Sequence, residues 1–170
     1  EVGQRALDLP VWDTLACGLL TLGATATPEQ AASLIPRVVA GELLIAPALN
    51  EPGNPLPTAP ATTLRDGKVS GHKIDVSLLD GTTLLLVSTD GGVVLVDPNG
   101  PGVTATANYA SKSIPVATVR GRTTGYLFDE APAVHVLPEP ASTVLREHAA
   151  AGLLLLGDGL VAGALALTAG

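Results

Sequence analysis

Aromatic side chains are almost missing from this chain: one Trp, two Tyr and one Phe, 2% of 170 residues. A chain of this length can bury a core of ordinary size, so that core has to come from Leu, Val and Ala. Cysteine is as scarce. Cys17 stands alone, which excludes an internal disulfide framework and a thiolate metal cluster and fits a reducing cytoplasm. An excess of positive charge is missing too. Nine Lys and Arg against sixteen Asp and Glu leave a net charge of -7. The scattered cations cannot replace condensed counterions along a phosphate backbone, so nucleic acid is excluded as a partner. Glu1-Val2-Gly3-Gln4-Arg5 has neither the basic leader nor the apolar core of a signal peptide, and none is expected there.

One long apolar run does exist. Residues 149–170 carry Asp158 as their only charge and would nearly span a bilayer. A charge in mid-segment is expensive in lipid, and no basic or aromatic anchor follows it. The run is therefore read as a helix buried between other helices, with no membrane partner. Gly 19 and Pro 14 are plentiful and predict many turns and short elements.

The texture changes twice along the chain. Thr27-Pro28-Glu29-Gln30 is a helix start, with an N-cap hydroxyl, Pro in the first turn and Gln three residues after the cap. Ala31, Leu34, Ile35, Val38 and Val39 follow on one predicted face; Pro36 should bend the helix and Gly41 should end it. An earlier helix is expected over 12–22. After Pro47 come Pro52, Pro55, Pro57 and Pro60, then short β-branched runs. Asp66-Gly67 joins 62–65 to 68–74, and Thr89-Asp90-Gly91-Gly92 joins 84–88 to 93–96, both as hairpins. Runs at 103–107, 113–119, 124–128 and 134–137 complete about eight strands, spaced as in a small barrel or sandwich. Helical texture returns near Ser142.

Helices, an all-β block and a helix again frame a set of ordered motifs: Ile35-Pro36, Gly41-Glu42, Ala48-Leu49-Asn50-Glu51-Pro52, Val69-Ser70-Gly71-His72-Lys73, Pro101-Gly102-Val103 and Phe128-Asp129-Glu130-Ala131. Their order and spacing resemble the acyl-CoA dehydrogenases, where similar motifs run from the end of the first helical domain through the middle β-domain. The resemblance implies an α+β architecture: the end of an N-terminal helical domain (1–47), a middle all-β barrel of about eight strands (48–138) and the first helix of a C-terminal helical bundle (139–170). It implies FAD as cofactor, with Leu49, Asn50 and Ser77 facing the flavin. The implied partners are an acyl-CoA substrate, like or unlike subunits of the same family in a tetramer, and an electron-transfer flavoprotein, all in the cytoplasm. The reaction implied is α,β-dehydrogenation of the thioester, in which a Glu carboxylate takes the α-proton and the β-hydrogen leaves as hydride to the flavin. No residue of this sequence is assigned as that base.

Two departures fall at the flavin. Pro55-Leu56-Pro57 stands where the family has Gly-Ser-Asp. Asp75 stands where it has a Trp, losing stacking area and adding a negative charge beside an anionic cofactor. These departures favour a non-catalytic structural subunit of a heteromeric enzyme; Ser77, Lys73 and the domain order favour a catalytic one. A β-barrel binding module unrelated to the family is a third reading.

Other candidates read as structural. Glu51 is a structural acid in the family. Asp129 and Glu130 read as a solvated strand end, His135 as solvent-facing opposite Val134 and Val136, His72 as surface, and His148 as a helix flank. Three dispersed His and one Cys give no metal-ligand spacing, so no metal is expected. Gly91-Gly92 and Gly100-Pro101-Gly102 do not lead from a strand into a helix and read as turns. Ser111 and Ser113 lack a nucleophile elbow.

Overall fold

The helical and strand signals place most elements within a residue or two. The computed structural model describes residues 11–77, 82–106 and 123–151. A π-type helical segment, Val11–Leu19, runs directly into α1 (Leu20–Thr25). Next comes α2 (Pro28–Val39), opened by the expected reciprocal cap: Gln30 N–H donates to Thr27 Oγ1 at 3.2 Å and Thr27 N–H donates to Gln30 Oε1 at 3.0 Å. Pro36 is accommodated in the last turn, and Gly41 (φ +75°) ends the helix in the left-handed conformation open to glycine. Leu34 and Val38 are buried and Ile35 packs beside them. Val39, expected on that face, is 71% exposed; one more 100° step carries it past the edge of the stripe.

Seven strands follow among the described residues: β1 (Leu44–Ala48), β2 (Thr63–Arg65), β3 (Lys68–Ser77), β4 (Thr82–Thr89), β5 (Gly92–Val96), β6 (Val103–Thr106) and β7 (Thr123–Leu137). They form one mixed sheet in the order β1-β4-β5-β7-β3-β2, with β6 also on β7. Both expected hairpins are present, β2 to β3 and β4 to β5. Asp66 and Gly67 both have positive φ (51° and 74°), as a tight two-residue hairpin turn requires.

Three expectations need correction. Among the described residues the strands form an open sheet of seven and no closed barrel of eight: β1 and β2 stand at opposite ends of the pairing order. The runs at 124–128 and 134–137 are one strand, β7, whose early half pairs with β3 and β6 and whose late half pairs with β5. One strand can serve two neighbourhoods because its pairing shifts at bulges. β1, overlooked because Pro47 lies in it, runs parallel to β4 at the sheet edge, where a missing N–H costs no ladder bond. Residues 107 and 113–119 lie outside the described residues, as do Ser111, Ser113 and 152–170.

Two apolar clusters share the strands β4 and β5, which are buried on both faces. Leu84, Leu86, Val93 and Leu95 face the helices, with Cys17, Leu22, Leu34, Val38, Leu145 and Ala149. Leu85, Val87, Val94 and Val96 face the interior of the sheet, with Val69, Val76, Tyr126 and Phe128. The period of two makes this division, and the unbroken apolar runs in the sequence are its signature. Residues 141–151 form α3, which closes over the helix side; Thr21 Oγ1 and His148 Nδ1 meet at 3.2 Å between α1 and α3. Among the described residues no helix is long and apolar enough to cross a membrane.

Replacing Thr27 by Ala should remove one half of the reciprocal cap and cost about 1 kcal/mol of stability. Thermal unfolding of the full-length protein checks this, and Thr27→Ser should restore most of the loss.

Candidate functional site

β1 leads straight into the Ala48-to-Pro52 motif. Leu49 is 5% exposed. Asn50 pairs with Ile74 across to β3, its carbonyl accepting from Ile74 N–H at 3.0 Å. Glu51 and Asn54 then exchange backbone hydrogen bonds, 3.1 and 2.9 Å, around Gly53 (φ +73°). This turn delivers the Glu51 carboxylate into the protein, where it meets Lys73.

The pair is fully enclosed: the side chains of Lys73 and Glu51 are 0% and 5% exposed, with Nζ 2.8 Å from Oε1. All three protons of the ammonium have acceptors: Glu51 Oε1, the Leu49 carbonyl at 3.3 Å and Ser88 Oγ at 3.0 Å. The carboxylate accepts from Lys73, from Thr62 N–H (2.9 Å) and Thr62 Oγ1 (2.7 Å), and from Ala61 N–H (2.8 Å). Burial alone would raise the Glu51 pKa; Lys73 and the Ala61 and Thr62 donors outweigh it and hold the group at about 2. Burial pushes Lys73 below its usual value, and Glu51 opposes that shift. Gly71 permits the arrangement: its φ is +152°, and a Cβ there would lie 2.6 Å from Thr62 Oγ1.

Beside the pair lies a cleft of about 280 Å³ between the proline-rich loop, the β4–β5 hairpin and α3. Its apolar lining includes Leu49, Leu56, Pro57, Pro60 and Leu145; Ser88, Asp90 and Arg146 supply polar groups. Leu56 has a left-handed φ of +47°, a conformation that costs a branched side chain energy. Its N–H donates to Asn50 Oδ1 at 3.0 Å, which ties the loop to the motif. Asp90 accepts from both Nη1 and Nη2 of Arg65, at 2.9 and 2.6 Å, so the acid at the cleft is neutralised.

The three residues expected to face a flavin are brought near one another, on two different footings. Asn50 bridges to β3 at Ile74, three residues before Ser77, whose backbone pairs with Thr123. The Ser77 side chain lies outside what the structure describes. Leu49 packs in the helix-side cluster, with its carbonyl bound to Lys73. Asp75, where the family carries Trp, sits at a register shift of β3 with φ +54°.

The remaining candidates are dispersed. His72 Nε2 lies 3.1 Å from Thr106 Oγ1 and is half-buried rather than on the surface. His135 is half-buried, while Val134 and Val136 are 51% and 44% exposed, the reverse of the simplest expectation. Glu130 forms a surface ion pair with Lys68 at 2.9 Å. Burial, with Asp13 nearby, pushes the Cys17 thiol up to about 12, so it is inert. No group of acidic, His or Cys side chains among the described residues can hold a metal. Sequence reading did not identify Lys73, Thr62 and Ser88 as a connected set. One signal existed: Val69, Gly71 and Lys73 alternate along β3, which puts a lysine on an apolar face.

A helix-flanked β-domain with an apolar cleft beside a buried ion pair is the class of protein this geometry defines. No family model matches the chain. Acyl-CoA dehydrogenase FadE28 of Mycobacterium tuberculosis is 35% identical over 173 residues, covering 99% of this chain and 48% of that protein. A variant of the Tcur3481-Tcur3483 steroid ACAD superposes with a TM-score of 0.83 at 30% identity, covering 99% of this chain and 46% of its own. The ChsE4-ChsE5 complex of M. tuberculosis has a similar fold, with a TM-score of 0.74 at 19% identity over 99% of this chain and 46% of that one. The chain belongs to the acyl-CoA dehydrogenase family. It spans about half the length of the relatives it matches.

Two outcomes test the ion pair. The Glu51 pKa lies below its usual 4.5, so its contribution should be complete above pH 4.5 and be lost as the pH falls toward 2, by about 3 kcal/mol in all. Thermal unfolding of the full-length protein across that range measures it, and Glu51→Gln should flatten the profile. Lys73→Met alone strands a buried carboxylate and should cost about 3–5 kcal/mol, while Lys73→Met with Glu51→Gln should recover much of that.

Proposed function

We propose that this chain is part of a subunit of a heteromeric acyl-CoA dehydrogenase, and that it contributes an acyl-binding cleft rather than the principal flavin contacts. The observation that carries the proposal is the cleft itself, whose wall includes Leu49, Leu56, Pro57 and Leu145 beside polar groups. A site of this kind takes the hydrocarbon part of a thioester and excludes water from it. Arg146 on α3 is the cation available there for an anionic group of the CoA.

In this reading the described residues Leu49, Asn50 and Asp75 do not make a flavin cradle. Leu49 is turned inward, the Asn50 carbonyl oxygen Oδ1 is engaged by Leu56, and Asp75 offers a carboxyl group in place of an aromatic platform. In this reading the flavin would be held elsewhere in the assembly, and the β-domain here shapes the substrate's surroundings. A bulky acyl group suits the reading, since one relative is a steroid ACAD and another is the ChsE4-ChsE5 complex. Exposed Val39, Val134 and Leu20 give the chain apolar surface for such a partner.

A second reading keeps FAD on this chain. It is supported by the backbone bridge from Asn50 to Ile74, three residues along β3 from Ser77, or about 10 Å of strand.

Flavin stoichiometry separates the two. The full-length protein purified with its partner subunit should absorb between about 350 and 500 nm with one flavin per two subunits, and it should bind acyl-CoA thioesters. One flavin on every subunit would overturn the first reading in favour of the second.

A further inference from the structure

The cleft beside the ion pair has a polar side, and its members are not equally occupied. Thr89 Oγ1 donates to the Gly92 carbonyl at 2.7 Å, and Ser142 Oγ donates to Glu139 Oε1 at 2.6 Å. Asp90, the acid in the cleft wall, is held by both terminal nitrogens of Arg65. Three groups are left, and all three are donors. Ser88 Oγ accepts from Lys73 at 3.0 Å, which leaves its own proton to give. Among the described residues neither the Thr58 hydroxyl nor the Arg146 guanidinium has a hydrogen-bond or ion-pair partner.

Arg146 is the informative one. Arg65, Lys68 and Lys73 each meet a carboxylate, and Arg37 is exposed to water. Arg146 is half-buried, and its neighbours three and four residues away along the helix, Ser142, Thr143, Ala149 and Ala150, include no acid. A partly desolvated guanidinium beside two spare hydroxyl protons is matched by an anion, and the Leu49, Leu56 and Leu145 side of the same cleft is matched by hydrocarbon.

We infer that the cleft also binds a free monocarboxylic acid with a short apolar body, its carboxylate on Arg146 and its hydrocarbon along Leu49, Leu56 and Leu145. The planar fork of a guanidinium fits a carboxylate with two parallel hydrogen bonds. One unpaired positive charge balances one negative charge, and a chain of net charge -7 disfavours a dianion. At about 280 Å³ the cleft is at the small end of ligand sites, which keeps the body short. The inference goes beyond the acyl-binding role proposed above and does not need it, because a thioester carbonyl carries no charge for Arg146 to meet. Where both ligands are present they exclude each other from the same walls. The cleft then responds to the free acid that a thioester-hydrolysing reaction releases.

The test uses the full-length protein in its native assembly and three probes: octanoate, the uncharged octanamide and acetate, which keeps the charge and lacks the chain. Calorimetry should give octanoate binding about 10-fold tighter than octanamide, the difference between a charge-assisted and a neutral hydrogen bond, and acetate should bind more weakly than octanoate. Arg146→Gln, a substitution that keeps a good helix former, should abolish the preference for octanoate, and Arg146→Lys should retain part of it. Magnetic resonance of octanoate labelled at its carboxyl carbon should show the bound acid staying ionised to lower pH than the free one, a readout that needs no variant to fold. Equal binding of octanoate and octanamide, or a preference that survives in Arg146→Gln, would overturn the inference. So would binding of acetate as tight as that of octanoate, or no binding of octanoate at all. Acyl-CoA binding is measured separately: octanoate bound without any affinity for acyl-CoA removes the acyl-binding role and leaves this inference standing, and the reverse result removes this inference alone.

Discussion

The ion pair between Lys73 and Glu51 is the constraint on which the rest of this molecule turns. Charges that have left water must find near-complete replacement for it, and here they do: three acceptors around the ammonium, four donor contacts on the carboxylate. Each partner group comes from a different stretch of chain. Leu49 and Glu51 lie just after β1, Ala61 and Thr62 just before β2, Lys73 in β3 and Ser88 in β4. Satisfying the two charges therefore fixes four segments relative to one another. A hydrophobic pair could supply comparable stability, but it would not specify this set of directions. The proline-rich loop from Pro52 to Pro60 has little regular structure of its own, and it is held at both ends by this network and by the Leu56-to-Asn50 bond.

The same network explains how the cleft can exist without collapsing. An apolar cavity beside a flexible loop tends to close, because its walls gain contacts by doing so. Here one wall is β4, buried on both faces within the sheet, and another is α3, packed through Ala141, Leu145 and Ala149 against the helix-side cluster. The third wall is the loop, tied down by Glu51 and Asn50. That third wall is the one held by the ion-pair network. The price of its position is visible in Leu56, whose positive φ places a leucine where glycine would sit more easily.

Much of this fold can be read along the chain because its local signals agree. The Thr27-to-Gln30 cap, the Asp66-Gly67 turn and the Thr89–Gly92 turn each combine local chemistry with the right apolar pattern on either side, and all three elements form. The failures have physical causes as well. Pro47 hid β1, since only knowledge of the sheet edge makes a proline tolerable there. Two β-runs merged into β7 because a bulge keeps a strand continuous where the pattern of apolar residues slips. His135 and its valine neighbours could be assigned to opposite faces, but which face meets solvent depends on long-range packing. The site was legible as motifs and not as contacts. Glu51 and Lys73 were each noticed, but their pairing spans 22 residues and depends on a bulged strand. Ser88 carried no motif at all.

What remains of the family pattern and what has been replaced fall on different sides of the ion pair. The scaffold motifs, Glu51 with its turn and Gly71 with Lys73, keep the residues that the buried network needs. The positions that would present polar or aromatic groups to a flavin carry Pro55-Leu56-Pro57 and Asp75 instead. Each of these replacements suits the chain's own structure: the prolines stiffen a loop, Leu56 walls the cleft, and Asp75 takes up a left-handed conformation that aspartate tolerates better than tryptophan. A chain adapted in this way keeps its internal geometry where it departs from the family pattern. That combination is what the structural role proposed above requires of this chain: a fixed internal geometry around the ion pair and a cleft held open beside it.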